Sequence, residues 1–325
     1  MMNQNRTSLR YQKGIWRSGD YMATTKEIKN HINSVKDTQK ITNAMYLIAS
    51  TKLRKAKSDL DLTRPYFNAL KAEINRIFHI ANEVESKYFY PAEGEHKLPG
   101  ACGYLVITAD KGLAGAYNQN VIKEAVRLMK GHENYKLFVV GEYGRHYFTA
   151  HNIPIERNFL YTAQNPTLGR ARQISNILVE LFNLGELAEI FIVYTDMQGV
   201  ISSQVYTTRL LPFHRTQFME PDNPAEDAEN SFEFMSSPEK VLDSIVPSYI
   251  TGFIYSALVD SFCSEQNARM NAMDSANRNA QELLQELSVQ YNHIRQAAIT
   301  QEITEVSSGA KSMRKKAKKR ISKEV

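Results

Sequence analysis

From Ile28 to Ile77 the chain sets residues at alternating steps of four and three: Ile28, Ile32, Val35, Gln39, Thr42, Tyr46, Ala49, Leu53, Ala56, Leu60, Thr63, Phe67, Leu70, Ile74 and Ile77. Most are apolar, and polar residues fill most positions between them. A mean step of about 3.5 is the repeat of a helix that supercoils round a partner, not of an ordinary surface helix. No glycine occurs between Lys26 and Glu93, and Pro65 is the only proline before Pro91. The stretch therefore predicts either one long helix or two joined helices, with Pro65 at a kink or joint.

The other end repeats the pattern. No proline follows Pro247, and Gly252 and Gly309 are the only glycines beyond it. Val259, Phe262, Gln266, Arg269, Met273, Ala276, Ala280, Leu283, Leu287, Gln290, Ile294, Ala297, Gln301 and Thr304 again follow steps of three and four. A helix of ~60 residues at ~1.5 Å each is ~90 Å long, more than the width of a normal domain. The middle reads differently. "GYLVIT", "KLFVVG", "EIFIVYT" and "SQVYTTRLLPF" are strand-like, and "AYNQNVIKEAVRLMK" and "TLGRARQISNILVELFN" are helical patterns between them. Strands alternating with helices predict a small parallel or mixed sheet with right-handed crossovers. "PDNPAEDAEN", residues 221–230, reads as a polar loop.

The fold class expected is thus mixed. An antiparallel coiled coil of the N- and C-terminal helices carries an inserted Rossmann-like α/β domain. The expected divisions are an extension at 1–21, the N-terminal coiled-coil helix at 22–92 and the α/β domain at 100–230. The C-terminal coiled-coil helix follows at 238–313, and a basic tail at 314–325.

Charge changes the picture at three places. The net charge of the 325-residue chain is +5, but "KSMRKKAKKRISK", residues 311–323, carries eight Lys or Arg and no acid. Without it the rest is slightly acidic, so the basic balance says little about nucleic acid. Seven like charges between Arg314 and Lys323 repel one another, and the tail is expected to stay mobile in solvent. Residues 39–57, "QKITNAMYLIASTKLRKAK", hold five basic residues and no acidic one. Residues 1–21 hold Arg6, Arg10, Lys13 and Arg17 against Asp20, with no apolar core behind them. That argues against a secretory signal and favours an upstream start or a disordered extension over an organellar presequence. No apolar run approaches the length of a bilayer span.

Catalytic patterns are sparse. "ADKGLAGAYNQN" follows the first strand but matches neither a dinucleotide fingerprint nor a phosphate loop, and Lys111 precedes the glycines. Gly112 and Gly115 serve either a structural turn or, against the pattern, a phosphate. Asp110, Glu142 and Asp196 are expected near strand ends without a basic or nucleophilic companion. Eight histidines and two cysteines, Cys102 and Cys263, stand in no metal-binding spacing. Two unpaired cysteines indicate a reducing compartment. No cofactor, metal or catalytic constellation is expected. Two readings of different class remain: an interaction or mechanical protein built as a coiled-coil rod with a globular foot, or a nucleic-acid-associated scaffold using the basic tail. The tail has no aromatic residue for stacking on bases.

Residues 23–56, "ATTKEIKNHINSVKDTQKITNAMYLIASTKLRKA", resemble the N-terminal helix of the gamma subunits of F-type ATP synthases. "SEQNARMNAMDSANRNAQELLQELSVQYNHIRQAAITQEITEVSSGA", residues 264–310, resembles their C-terminal helix. "DKGLAGAYNQN" resembles the family's central turn, with Ala114 where a cysteine is common. The resemblance implies a rotor shaft inside a ring of alpha and beta subunits, with a foot on the epsilon subunit and the ring of c subunits. Proton flow would turn the shaft, and the shaft would do no chemistry itself. It implies a place at the cytoplasmic face of a bacterial cell membrane rather than in a mitochondrial or plastid inner membrane, and no specific nucleic acid. Ile41, Met45 and Ile48 lie one step round the helix from the seam, and the stripe runs on into Lys52 and Lys55. The resemblance sets this stripe against the beta subunits. It gives Met45, Lys52, Lys55, Arg269, Arg295, Gln296 and Thr300 as beta-subunit contacts. Met45 alternatively packs within the coil, and Arg269, which falls in the seam, alternatively fixes its register.

Overall fold

The computed structural model describes residues 18–80, 84, 86–90, 99–197, 203–214, 218 and 237–321. Residues 1–17 of the expected extension, the expected loop at 221–230 and residues 322–325 of the tail lie outside these. Helix α1 (Ser18–Ile80) opens the chain and helix α5 (Pro238–Ile321) closes it. Between them run β1 (Ala101–Ile107), α2 (Tyr117–Met129), β2 (Tyr135–Val140), α3 (Glu142–Ala150), α4 (Leu168–Asn183), β3 (Leu187–Met197) and β4 (Ser203–Leu211). The chain forms two compact units: residues 45–273, and residues 1–44 with 274–325.

The larger unit is built on a four-stranded sheet in the order β2-β1-β3-β4. β1 pairs in parallel with both β2 and β3, and β4 runs antiparallel to β3. The four strands read from the sequence are the four observed. Side chains alternate across a strand, so β1 feeds two cores. Cys102, Tyr104 and Val106 face Val121, Ile122, Ala125 and Met129 of α2. Leu105 and Ile107 join the core of Ala171, Ile174 and Leu178 from α4, which also takes in residues of α1 and α5. α4 starts where Thr167, in extended conformation, accepts the Arg170 N–H on its hydroxyl at 3.2 Å. α3 has no counterpart in the sequence reading, because "EYGRHYFTA" is too short to show a helical period.

Within this unit α1 and α5 run antiparallel. Phe67 meets Gly252, and Ser86, just past α1, donates to Asp243 at 3.1 Å. As numbers rise on one helix they fall on the other. Every predicted seam position of α1 from Ile28 to Ile77 is buried or half-buried. In the smaller unit the Thr42 hydroxyl bonds to the Asn277 side-chain carbonyl.

Several expectations are corrected. Beyond Ala280 the inward positions of α5 are Leu284, Leu287, Tyr291, Ile294, Ala298 and Gln301, while Leu283, Gln290, Ala297 and Thr304 are exposed. The sequence offers adjacent pairs here, such as Leu283 and Leu284, and the helix turns the second of each pair inward. Pro65 and Pro247 both lie inside continuous helix. α5 also runs on through the basic segment to Ile321 rather than ending near Met313. One stretch of α5 is apolar and long enough to meet the composition of a bilayer span, against expectation. Its Leu242, Val246, Ile250, Ile254 and Leu258 belong to the buried core of the larger unit.

Gly252 shows how tightly that core closes. A Cβ there would stand 1.9 Å from the ring of Phe67. In an open helix Gly→Ala stabilises by about 1 kcal/mol. Here Gly252→Ala is expected to destabilise by about 1–3 kcal/mol through overpacking, and Phe67→Leu is expected to recover part of the loss. Urea midpoints of the two single variants and the double variant check this.

Candidate partner-binding surfaces

In a parallel sheet with β1 between β2 and β3, a ligand would lie beyond the strand ends where the chain order reverses. Here Asp110, three residues past β1, occupies that place. Its carboxylate accepts the backbone N–H groups of Glu142, Ala163 and Gln164, each at 3.1 Å. Glu142 opens α3, so the carboxylate also sits at a helix N-terminus, where an anion is favoured. Asn118 closes the turn from below: it accepts the Ala109 N–H at 2.9 Å and donates to the Lys111 carbonyl. Gly115 takes φ +54°, which few side chains tolerate. Of the two uses open to Gly112 and Gly115, the geometry provides for a structural turn.

α5 seals the same end. Arg269 donates to the Gly112 carbonyl at 2.7 Å and pairs with Glu265 at 2.5 Å. Both side chains are buried. Burial pushes the Glu265 carboxyl up, and Arg269 pulls it down. Ser261 accepts the Thr195 N–H at 3.1 Å, and Ser264 donates to the Thr195 carbonyl. Tyr117, fully enclosed beneath, has its phenol pushed up first by burial and then by the Glu265 charge. Arg269 is therefore committed to internal partners, the arrangement a register device requires.

The other candidate residues are distributed as follows. Met45 and Lys52 are half-buried and Lys55 is exposed. Lys52 and Lys55 border a cavity of about 240 Å³ beside Asp59, Asn165, Thr167 and Tyr255. Of the apolar stripe, Ile48 in the larger unit is 57% exposed and Ile41 in the smaller is 61% exposed. In the smaller unit Arg295, Gln296 and Thr300 all face solvent, and the Thr300 hydroxyl donates to the Gln296 carbonyl at 2.9 Å. Sequence reading missed their neighbours Ile299, Ile303 and Val306, which are exposed at steps of four and three. The signal was present, as apolar residues at helical spacing off the seam. They are added to the candidate partner contacts.

A protein-family model described as ATP synthase matches residues 24–313. The ATP synthase gamma chain of Caldanaerobacter subterraneus subsp. tengcongensis is 44% identical over 292 residues, which cover 88% of this chain and 98% of that one. The chain belongs to the ATP synthase gamma chain family. Another relative, the sodium-ion-specific ATP synthase gamma chain of Acetobacterium woodii, is 34% identical over 88% of this chain and 98% of its own length. Among solved structures, a chain of the Euglena gracilis mitochondrial ATP synthase, in an OSCP/F1/c-ring assembly, superposes with a TM-score of 0.61. It is 17% identical, covering 90% of this chain and 95% of that one. In this chain α1 and α5 carry the exposed apolar residues, and Arg269 holds the turn at Gly112.

Two predictions follow from the sealed end. Arg269→Ala leaves Glu265 buried without its partner and is expected to cost about 3–5 kcal/mol. Arg269→Met with Glu265→Gln is expected to cost much less, as chemical denaturation of the two variants checks. Asp260 on α5 is pushed up to about 6 from 3.8, by burial first and the Asp196 charge second, against the pull of Arg64 and Lys57. The folded state holds this proton more tightly than the unfolded one, so its contribution is greatest below about pH 4. It is lost as pH rises through about 6. Asp260→Asn is expected to raise stability at pH 7–8 by ~2 kcal/mol and to flatten the profile between pH 4 and 6. Urea midpoints across that range give the answer.

Proposed function

We propose that the chain is the rotor shaft of the central stalk of an F-type ATP synthase. On this reading α1 and α5 form an antiparallel coiled coil that turns inside a ring of alpha and beta subunits, with α1 ending at Ile80 rather than running on to 92. The α/β elements, in a domain at 100–230, form the foot, which meets the epsilon subunit and the ring of c subunits. The complex lies at the cytoplasmic face of a cell membrane. Ion flow through the membrane sector turns the shaft and drives ATP synthesis at the beta subunits. The observation that carries the reading is the pair of exposed apolar stripes, Ile41 with Ile48 and Ile299 with Ile303 and Val306, on the helices of a gamma-chain relative.

Such a shaft needs contact without capture. A ligand that binds one state much more tightly than the others traps it. Isolated apolar side chains and long flexible cations such as Lys52 and Lys55 give attraction without a fixed geometry. Met45, Arg295, Gln296 and Thr300 complete the proposed beta-subunit contacts. Arg269 reaches the ring only through the 110–116 turn that it holds. The site where an α/β fold would take a phosphate holds the Asp110 carboxylate, which supports a shaft with no nucleotide chemistry of its own.

Co-purification tests the reading: the chain should emerge with alpha and beta subunits in a complex of three, three and one. Recovery as a free species, with an intact ring assembling without it, would overturn it. In that complex Arg295→Ala and Gln296→Ala are expected to lower ATP-driven turnover several-fold. Both side chains are exposed, so the chain's stability should move by less than about 0.5 kcal/mol. Steady-state hydrolysis beside thermal midpoints makes the comparison. A large melting shift with normal turnover would assign both residues to packing.

A further inference from the structure

At the end of the sheet opposite Asp110, three stretches of the larger unit bring together residues whose spacing in the sequence is uninformative. Cys102 is the second residue of β1, and Glu189 stands opposite it on β3. His132 lies in the turn between α2 and β2, which the Cys102 N–H ties down by donating to the Asn134 carbonyl at 3.0 Å. A sulfur, an imidazole nitrogen and a carboxylate oxygen from these three all lie within 4.8 Å of one another.

We propose that Cys102, His132 and Glu189 form a binding site for a thiophilic divalent cation of the Zn²⁺ class. Bonds of about 2.0–2.3 Å in a tetrahedral site set ligand atoms about 3.3–3.8 Å apart, so side-chain rotations moving the atoms by about 1 Å complete it. His132 is exposed, on a turn that can make the adjustment. The outer groups are already placed. The Tyr104 hydroxyl is 2.5 Å from His132 Nδ1, and with the ring proton on Nδ1 that contact leaves Nε2 as the ligand. The Tyr90 hydroxyl donates to Glu189 Oε1 at 2.5 Å, which orients Oε2 as the free oxygen. Arg209 stands 3.8 Å from the same Oε1 and holds the carboxylate from the far side.

One thiolate and one carboxylate offset the 2+ charge of the ion, leaving the single positive charge of Arg209 beside Glu189, and solvent supplies the fourth ligand on the exposed side of His132. Binding breaks the Cys102 S–H bond and releases its proton to water, while the sulfur lone pair goes to the metal. The bound ion pins the starts of β1 and β3 to the α2–β2 turn.

The test uses the purified full-length chain, stripped with chelator, loaded with Zn²⁺ and passed through gel filtration. Wild type should retain about one more equivalent of Zn²⁺ than His132→Ala, and His146→Ala, an exposed histidine elsewhere, should match wild type. Co²⁺ in place of Zn²⁺ should give a thiolate-to-metal charge-transfer band that is lost in Cys102→Ser. Tyr104→Phe should weaken binding by about 10–100-fold, as loss of an orienting partner does. Equal retention by wild type and His132→Ala, or Co²⁺ binding with no thiolate band, overturns the site.

Discussion

In the larger unit α1 and α5 each carry an apolar face that water will not tolerate and that the other helix, about two hundred residues away, helps to cover. The rest of the larger unit depends on this pairing. It closes at small residues: Ala56 is buried in the common core, and Gly252 lets the ring of Phe67 lie against the α5 backbone. Side chains of ordinary size at these points would hold the helices apart and open the core shared with α4 and the sheet. The pairing therefore fixes the α/β elements as well as the helices. This explains why α5 carries a membrane-like apolar stretch: in the larger unit that stretch meets protein on several sides.

The same economy governs the strand ends. A parallel sheet with its order reversed at β1 creates a place that attracts an anion, and leaving its N–H groups unpaired would be costly. The chain fills the place with its own Asp110 and caps it from α5 with Arg269, itself neutralised by Glu265. A fold that elsewhere binds nucleotides is thereby closed. The two long helices present exposed apolar and basic side chains at the surface.

Much of this was legible in the sequence, because burial over a long helix is periodic. All the seam positions of α1 were readable, as were the four strands and helices α2 and α4. Beyond Ala280 the seam of α5 was legible only at Leu287, Ile294 and Gln301, since pairs such as Leu283 and Leu284 satisfy either phase and only the partner helix decides. Pro65, which the sequence marks as a kink or a joint between two helices, is no joint: a helix clamped by tertiary packing outweighs its local cost. The role of Arg269 was half visible, as a charged residue in a seam, but its partner Gly112 lies more than a hundred and fifty residues away. The cluster of Cys102, His132 and Glu189 was invisible, because sheet register alone assembles it.

The central claim is that this chain turns. Cys102 and Cys263 are both buried, so a cysteine placed at the exposed Leu160 can carry a visible probe almost alone. With the surrounding ring fixed to a surface and ATP supplied, the probe on single complexes should rotate in one direction, in steps. A complex that hydrolyses ATP at full rate while the probe stands still would contradict the account.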